Sequence, residues 1–204
     1  MESLVINNFL PYPNVVRSWA LSKEFVDAKE FSKRIGSNTT WPGLRSQHVM
    51  ELDSAYANII LSRISDIAKN NFLDNPYANI SIRSFFQICR EEDGDSWIHQ
   101  DNDVDVAGIL YLSPDASISS GTTLYKCNDV NAWTSLDVNQ MMKINRIEKK
   151  ELYNNLFSPV DIIGNIYNRL VMYKGDIFHK SNDYFGSTKE DSRLTQVFFL
   201  KFEK

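Results

Sequence analysis

The run "VAGILYL" (Val106–Leu112) is apolar throughout, carries β-branched and aromatic residues, and is closed by the turn "SPDA". It reads as a strong buried strand, and a buried strand obliges the rest of the chain to supply partners on both sides. The partners are in view. "NISIRSFFQICRE" precedes it, and "SSGTTLYKC" comes after Gly121. "NRLVMYKGDIFHKS" reads as a strand pair with Gly175 at the turn, and "RLTQVFFLKFE" is a final strand. "WIHQD" is a short strand or strand end. Before Asn79 the pattern differs. "SLVINNFLPYP" gives a short strand, Leu4–Ile6, running into a proline turn. "NVVRSWALSKEF" is a helix with Asn14 as its N-cap. "SNTTWPGLRS" is a loop marked by Pro42 and Gly43. "DSAYANIILSRISDIAKNNF" is the clearest helix, with Tyr56, Ile59, Ile60, Ile64 and Ile67 on one stripe and Asp53 or Ser54 as cap. Helices first and seven or eight short strands afterwards predict an α+β protein with an antiparallel, sandwich-like or jelly-roll core.

Residues 129–168 stand apart as an insertion. "LDVNQMMKINRIEKKELYNNLF" has helical character, and Pro159 and Gly164 interrupt the stretch beyond it. There is no internal repeat and no linker, so the 204 residues are expected to form one domain, 1–204. Hydrophobic residues make up 43% of the chain, enough for a substantial core. The net charge is −4, with no Lys/Arg cluster long enough to track a phosphate backbone, which argues against a nucleic-acid partner. Cys89 and Cys127 match neither a disulfide framework nor a zinc motif and read as idle thiols in a reducing compartment. The N-terminus has no basic region and no long apolar run. A cytoplasmic protein without a membrane span is expected. A homodimer through the N-terminal helices or the insertion is left open.

The chemistry starts at "SWIHQDND" (Ser96–Asp103), where His99 stands two places before Asp101. On a strand, residues i and i+2 share a face. Alone, the pair has two readings: a surface histidine beside an acidic loop, or two ligands of a metal. His179, closing "YKGDIFH", has its own plain reading as a hydrogen-bonded core residue. Two histidines and a carboxylate on two strands together make the facial triad of non-haem Fe(II) sites, with zinc as the alternative metal. Arg193 opens the last strand, sharing a face with Thr195, Val197 and Phe199. It is either exposed and paired with Asp191 or Glu190, or turned inward, where a ligand carboxylate would answer it and Thr195 would add a hydroxyl. His48 is assigned no chemistry. Asp103 and Asp105 read as solvated loop acids, or as groups that orient a substrate cation. Trp97 either walls the site or packs in the core.

The order His99-x-Asp101, His179, Arg193 resembles the 2-oxoglutarate- and Fe(II)-dependent oxygenases, in particular the prolyl-4-hydroxylase-like branch with its small bacterial and phage members. "LVINNFLPYPNVVRSWAL" at the start, and "VAGILYLSPD", "SSGTTLY" and "YKGDIFH" further on, are similar to successive segments of that branch, so the resemblance covers the ends and the catalytic core, roughly Asn79–Asp129 and Leu170–Phe202. The resemblance implies a double-stranded β-helix with N-terminal supporting helices. It implies Fe(II) on His99, Asp101 and His179, and 2-oxoglutarate with its far carboxylate on Arg193, helped by Tyr111 and Thr195. It further implies hydroxylation of a C–H bond by dioxygen with release of succinate and CO₂, the first guess for the substrate being a peptidyl or amino-acid side chain such as proline. Two features depart from the family pattern. The spacing from His179 to Arg193 is long, and "FFQICRE" lacks the usual tyrosine, so Gln87 or Cys89 is expected to face the cosubstrate. The rival readings are a cupin-like metal hydrolase or isomerase, which leaves Arg193 without a role, and a non-catalytic jelly-roll binding module.

Overall fold

In the computed structural model, residues 2–35, 41–101, 103–130 and 152–203 are described. Seven strands form one antiparallel sheet in the order β1-β8-β5-β10-β4-β3-β2, and three form a second in the order β7-β6-β9. The first comprises β1 (Ser3–Ile6), β2 (Val26–Asp27), β3 (Leu44–His48), β4 (Ile80–Cys89), β5 (Val106–Tyr111), β8 (Leu170–Lys174) and β10 (Arg193–Phe202). The second comprises β6 (Thr122–Cys127), β7 (Phe157–Ile163) and β9 (Phe178–Ser181). The helices before β4 are α1 (Pro13–Leu21), α2 (Ala28–Ile35), α3 (Val49–Leu52) and α4 (Ser54–Phe72), and the described residues 152–156 are helical as well. None of the described helices is long and apolar enough to cross a membrane.

The centre of the large sheet is β10, which runs in unbroken register with β4 from Arg193↔Cys89 to Phe202↔Ile80 and pairs β5 on its other side. Alternation splits its side chains as expected. Leu194, Phe198 and Leu200 enter the core under the helices with Phe86, Ile88, Leu110 and Met172. Arg193, Thr195, Val197 and Phe199 take the opposite face. There Ala107, Ile109 and Tyr111 of β5 and Val171 and Tyr173 of β8 pack with Leu124 and Ile163 of the small sheet. This second cluster joins the two sheets, and the site lies on that side.

The helices seal the other side. Asp53 caps α4 by accepting from Ala55 N and Tyr56 N at 2.9 and 3.0 Å. The buried stripe of α4 is Ala57, Ile60, Leu61, Ile64 and Ala68, and Ile59 is 73% exposed. The stripe is turned because small residues at 57 and 68 let the helix approach the sheet. Asn14 is not the cap of α1, which begins at Pro13 with Tyr12 in the cap position. Its Oδ1 instead accepts from the Tyr167 hydroxyl at 2.6 Å.

Three further expectations are corrected. The loop "SNTTWPGLRS" ends in strand β3, whose polar sequence carries no apolar alternation to announce it. A Cβ on Gly43 would stand 2.1 Å from Ile88 O, so only glycine lets the chain pass this close to β4. The pair "NRLVMYKGDIFHKS" is not a hairpin: β8 pairs β1 and β5, whereas β9 pairs β6. The turn at Gly175 carries the chain from one sheet to the other. The expected insertion, 129–168, contains a sheet strand, β7. Pro159 is tolerated there because β7 is an edge strand with a register shift beside it. The helical stretch expected between, from residue 136 on, lies largely outside the described residues.

Candidate metal centre

His99 and His179 face each other across an isolated antiparallel bridge. His99 N donates to His179 O at 3.0 Å, and His179 N donates to His99 O at 2.9 Å. This reciprocal pair sets the two side chains next to each other on one face, with ring centroids 4.3 Å apart. Each Nδ1 lies 2.9 Å from a carbonyl two residues back, Trp97 O and Ile177 O. A carbonyl only accepts, so each Nδ1 carries the proton and each Nε2 is left with a free lone pair.

Asp101 completes the group. Its position is set by backbone, with Asp101 N donating to Gly175 O at 2.9 Å and Gly175 N donating to Asp105 O at 3.0 Å. A Cβ on Gly175 would meet Val104 O at 2.0 Å, so this glycine is what allows the 101–105 loop to seat against the crossing between the sheets. Asp101 Oδ2 stands 3.6 Å from His179 Nε2, and Oδ1 stands 3.9 Å from His99 Nε2. Both are too long for hydrogen bonds. Ligands of a single ion bonded at about 2.1 Å stand roughly 3–3.5 Å apart, and these three donors, all within 4.8 Å of one another, would close on an ion to share it. Among the described residues, this is the one group of three His, Cys, Asp or Glu side chains close enough to do so.

The electrostatics fit the same use. Burial, reinforced by the neighbouring His99 imidazole, pushes the His179 imidazole down to about 3, so it is neutral at physiological pH. Burial raises the Asp101 carboxyl, opposed by His99 and by the more distant Arg45 and Arg83. A cation at the focus of the three donors would offset that desolvation.

The other expected residues fall into two groups. Arg193, Thr195 and Tyr111 share the site face and are 2%, 1% and 0% exposed. Arg193 Nε donates to Ser120 O at 3.0 Å, while its buried Nη2 has no partner. Its guanidinium carbon lies 5.5 Å from the Tyr111 ring centre and 5.9 Å from that of Tyr184. The alternative of an exposed arginine paired with Asp191 is thereby excluded; Asp191 instead accepts from Ser187 N and Thr188 N. Thr195 Oγ1 is also buried without a partner. The Tyr111 hydroxyl is engaged with Thr122 Oγ1 at 2.8 Å. Gln87 and Thr195 are cross-strand neighbours.

His48 stands outside the centre and caps α3, its Nδ1 accepting from Met50 N at 3.0 Å. Asp105 is not a free loop acid: it accepts from Lys201 Nζ and Phe202 N at 3.2 and 2.7 Å. Asp103 is exposed at the edge of the cavity, and Trp97 walls it, 5.9 Å from the His99 ring. The cavity holds about 600 Å³, and besides the triad it is lined by Trp41, Arg45, Arg83, Phe85 and Phe199. Neither Arg45 nor Arg83 stands out in the sequence. Arg83 was findable by the alternation applied to Arg193, since residues 83, 85, 87 and 89 share the site face of β4.

No protein-family model matches the chain, and no curated protein does. Solved structures do. A prolyl hydroxylase from Trichoplax adhaerens, in complex with a hypoxia inducible factor peptide fragment, matches with a TM-score of 0.59 at 14% identity, over 98% of this chain and 83% of that one. HygX from Streptomyces hygroscopicus, with nickel, 2-oxoglutarate and hygromycin B bound, matches with a TM-score of 0.60 at 13% identity, over 98% and 82%. A prolyl-4-hydroxylase from Pseudomonas putida matches with a TM-score of 0.52 at 15% identity, over 100% and 94%. The chain has the fold of the 2-oxoglutarate/Fe(II) oxygenases. At these identities the likeness is one of fold, and the chemistry has to be argued from the side chains.

Proposed function

We propose that this protein is an Fe(II)- and 2-oxoglutarate-dependent dioxygenase that hydroxylates a substrate C–H bond, on a double-stranded β-helix core. The observation that carries the reading is the combination of the His99–Asp101–His179 group with buried, unpartnered donors on Arg193 and Thr195. A triad alone fits any hard or borderline divalent ion. A buried guanidinium with an idle N–H fits an anion that arrives from outside.

His99, Asp101 and His179 would hold Fe(II). Arg193 Nη2 and Thr195 Oγ1 would receive the far carboxylate of 2-oxoglutarate, with the Tyr111 ring beside them. The bound metal and cosubstrate supply the oxidising chemistry, in which dioxygen is consumed and succinate and CO₂ are released. Within that scheme the chain's residues bind and orient. The Trp97 and Ile177 carbonyls fix both imidazole tautomers, and Gly175 seats Asp101. Tyr173, buried against the His179 ring at 4.7 Å, keeps that side dry. Among the solved neighbours, HygX holds 2-oxoglutarate with nickel or, in another structure, iron alone. The cupin-like hydrolase reading leaves the Arg193 and Thr195 donors unexplained.

The test is an anaerobic titration of metal-free protein with Fe(II) and 2-oxoglutarate, watching for the visible metal-to-ligand charge-transfer band. We expect the band in the wild type and none in His179→Ala. Tight metal binding with no band in the wild type would transfer the protein to the cupin-like class.

A further inference from the structure

The cavity wall beyond the triad has a charge the metal chemistry does not use. Arg45 lies half-buried among aromatic rings, its guanidinium carbon 4.2 Å from the centre of Trp41 and 5.3 Å from that of Phe199. Its Nε donates to Gln87 Oε1 at 3.2 Å. Arg83 also approaches Phe199, at 6.0 Å. Neither arginine has a carboxylate partner among the described residues. Burial lowers the Arg45 guanidinium to about 10, a lowering that Asp101 opposes and the like charge of Arg83 reinforces, so Arg45 remains protonated at neutral pH. Trp41 adds a third donor, a buried indole N–H without a partner. In a chain of net charge −4, two like charges around one phenyl ring, opposed by the more distant Asp101 and paired with no carboxylate among the described residues, are costly unless something anionic visits.

We infer that the substrate of the proposed oxygenase is a small organic anion, a carboxylate or phosphate ester beside a flat apolar portion, with its charged group held by Arg45 and Arg83 and its flat portion against Trp41 and Phe199. This rests on the oxygenase reading for the reaction and on the cavity alone for the charge. The arginine pair suits such a group because guanidinium forks bind carboxylate and phosphate bidentately. The aromatic lining suits a planar neighbour, and a volume of about 600 Å³ lies within the range of small-molecule sites. An uncharged proline side chain would leave both arginines unanswered.

The experiment is titration calorimetry with benzoate, phenyl phosphate and uncharged benzamide. It is run on metal-free protein and on protein holding Fe(II) and 2-oxoglutarate under argon. We expect at least one of the two anions to bind at least tenfold more tightly than benzamide in both states, and the tighter anion names the group. Arg83→Gln, at an exposed position, and Arg45→Gln should each weaken that anion at least tenfold and keep the charge-transfer band. Arg45→Lys should recover part of the loss. Benzamide binding as tightly as the anions, no anion binding, or anion binding unchanged in Arg83→Gln would each overturn the inference. Anion binding without any band would leave this site standing and remove the oxygenase reading instead.

Discussion

The two faces of β10 carry opposite kinds of burial. On the helix face, Gln196 is fully buried and fully answered. The Tyr56 hydroxyl donates to its Oε1 at 2.6 Å, and its Nε2 donates to Ser84 Oγ at 3.1 Å. One residue away on the other face, Thr195 is equally buried and its hydroxyl has no partner, and two further back Arg193 has an idle Nη2. Strand, sheet and degree of burial are the same. The difference is whether the protein supplies the partner. Buried polar groups in folded proteins are overwhelmingly hydrogen-bonded, so the unanswered donors of Arg193 and Thr195 on one face are what the proposed cosubstrate site rests on.

The largest test of this contrast strikes the helix face. Phe198 is fully buried there among Phe86, Leu110 and Met172. Phe198→Ala should cost about 3–5 kcal/mol of unfolding free energy by the loss of transfer energy and the cavity left behind. In the folded population, 2-oxoglutarate affinity should hold within about threefold, which is under about 1 kcal/mol. Denaturant melts and the charge-transfer titration read the two separately. A large loss of cosubstrate affinity with full stability would erase the distinction between faces.

Arg193→Met is the reciprocal change. It keeps much of the stem's volume and removes the guanidinium. The expected effect is a loss of 2-oxoglutarate affinity of about 100-fold, or roughly 2–3 kcal/mol, with metal affinity little changed. Stability of the ligand-free protein should hold or rise, because an under-satisfied buried charge is removed. Equal losses of metal and cosubstrate would mean that Arg193 supports the centre rather than the cosubstrate.

The same contrast explains how much could be read from the sequence. His99, Asp101, His179 and Arg193 were legible as a set through their order and its family resemblance, whereas each alone has a plain structural reading. The strand character of β4, β5, β6 and β10 was legible from alternation and β-branching. Pairing was not. The "YKGDIFH" segment looks like one arm of a hairpin, and nothing local tells Gly175 to send the chain into the other sheet. β7 was hidden by Pro159, whose missing N–H is harmless only on an edge. Arg45 was hidden in a segment that looks like loop, and its meaning comes from rings at residues 41 and 199 that only the fold brings together.

The smallest effect to look for is a pH slope confined to the site face. In the metal-free protein, His179 titrates at about 3 against an ordinary value near 6.5. Between those values the unfolded chain binds more protons than the folded one, so the stability from neutral His179 is complete above about 6.5 and is lost as pH falls. The raised Asp101 carboxyl works the other way, favouring the fold below the ordinary carboxylate range and losing that contribution as pH rises through its own higher value. The two partly cancel, leaving a net difference of about 1 kcal/mol or less per pH unit, since one proton's full linkage is about 1.4 kcal/mol per unit. Subtracting melts of His179→Gln from those of the wild type at pH 6.5 and 5.5 isolates the histidine, with wild type expected to lose more on acidification. Tyr56→Phe is the control from the other face. Burial pushes its hydroxyl up and away from this range, so its difference from wild type should be flat with pH. A slope of the same size in Tyr56→Phe would mean that acid loosens the whole sheet, and the division of β10 into a stabilising face and a binding face would lose its electrostatic support.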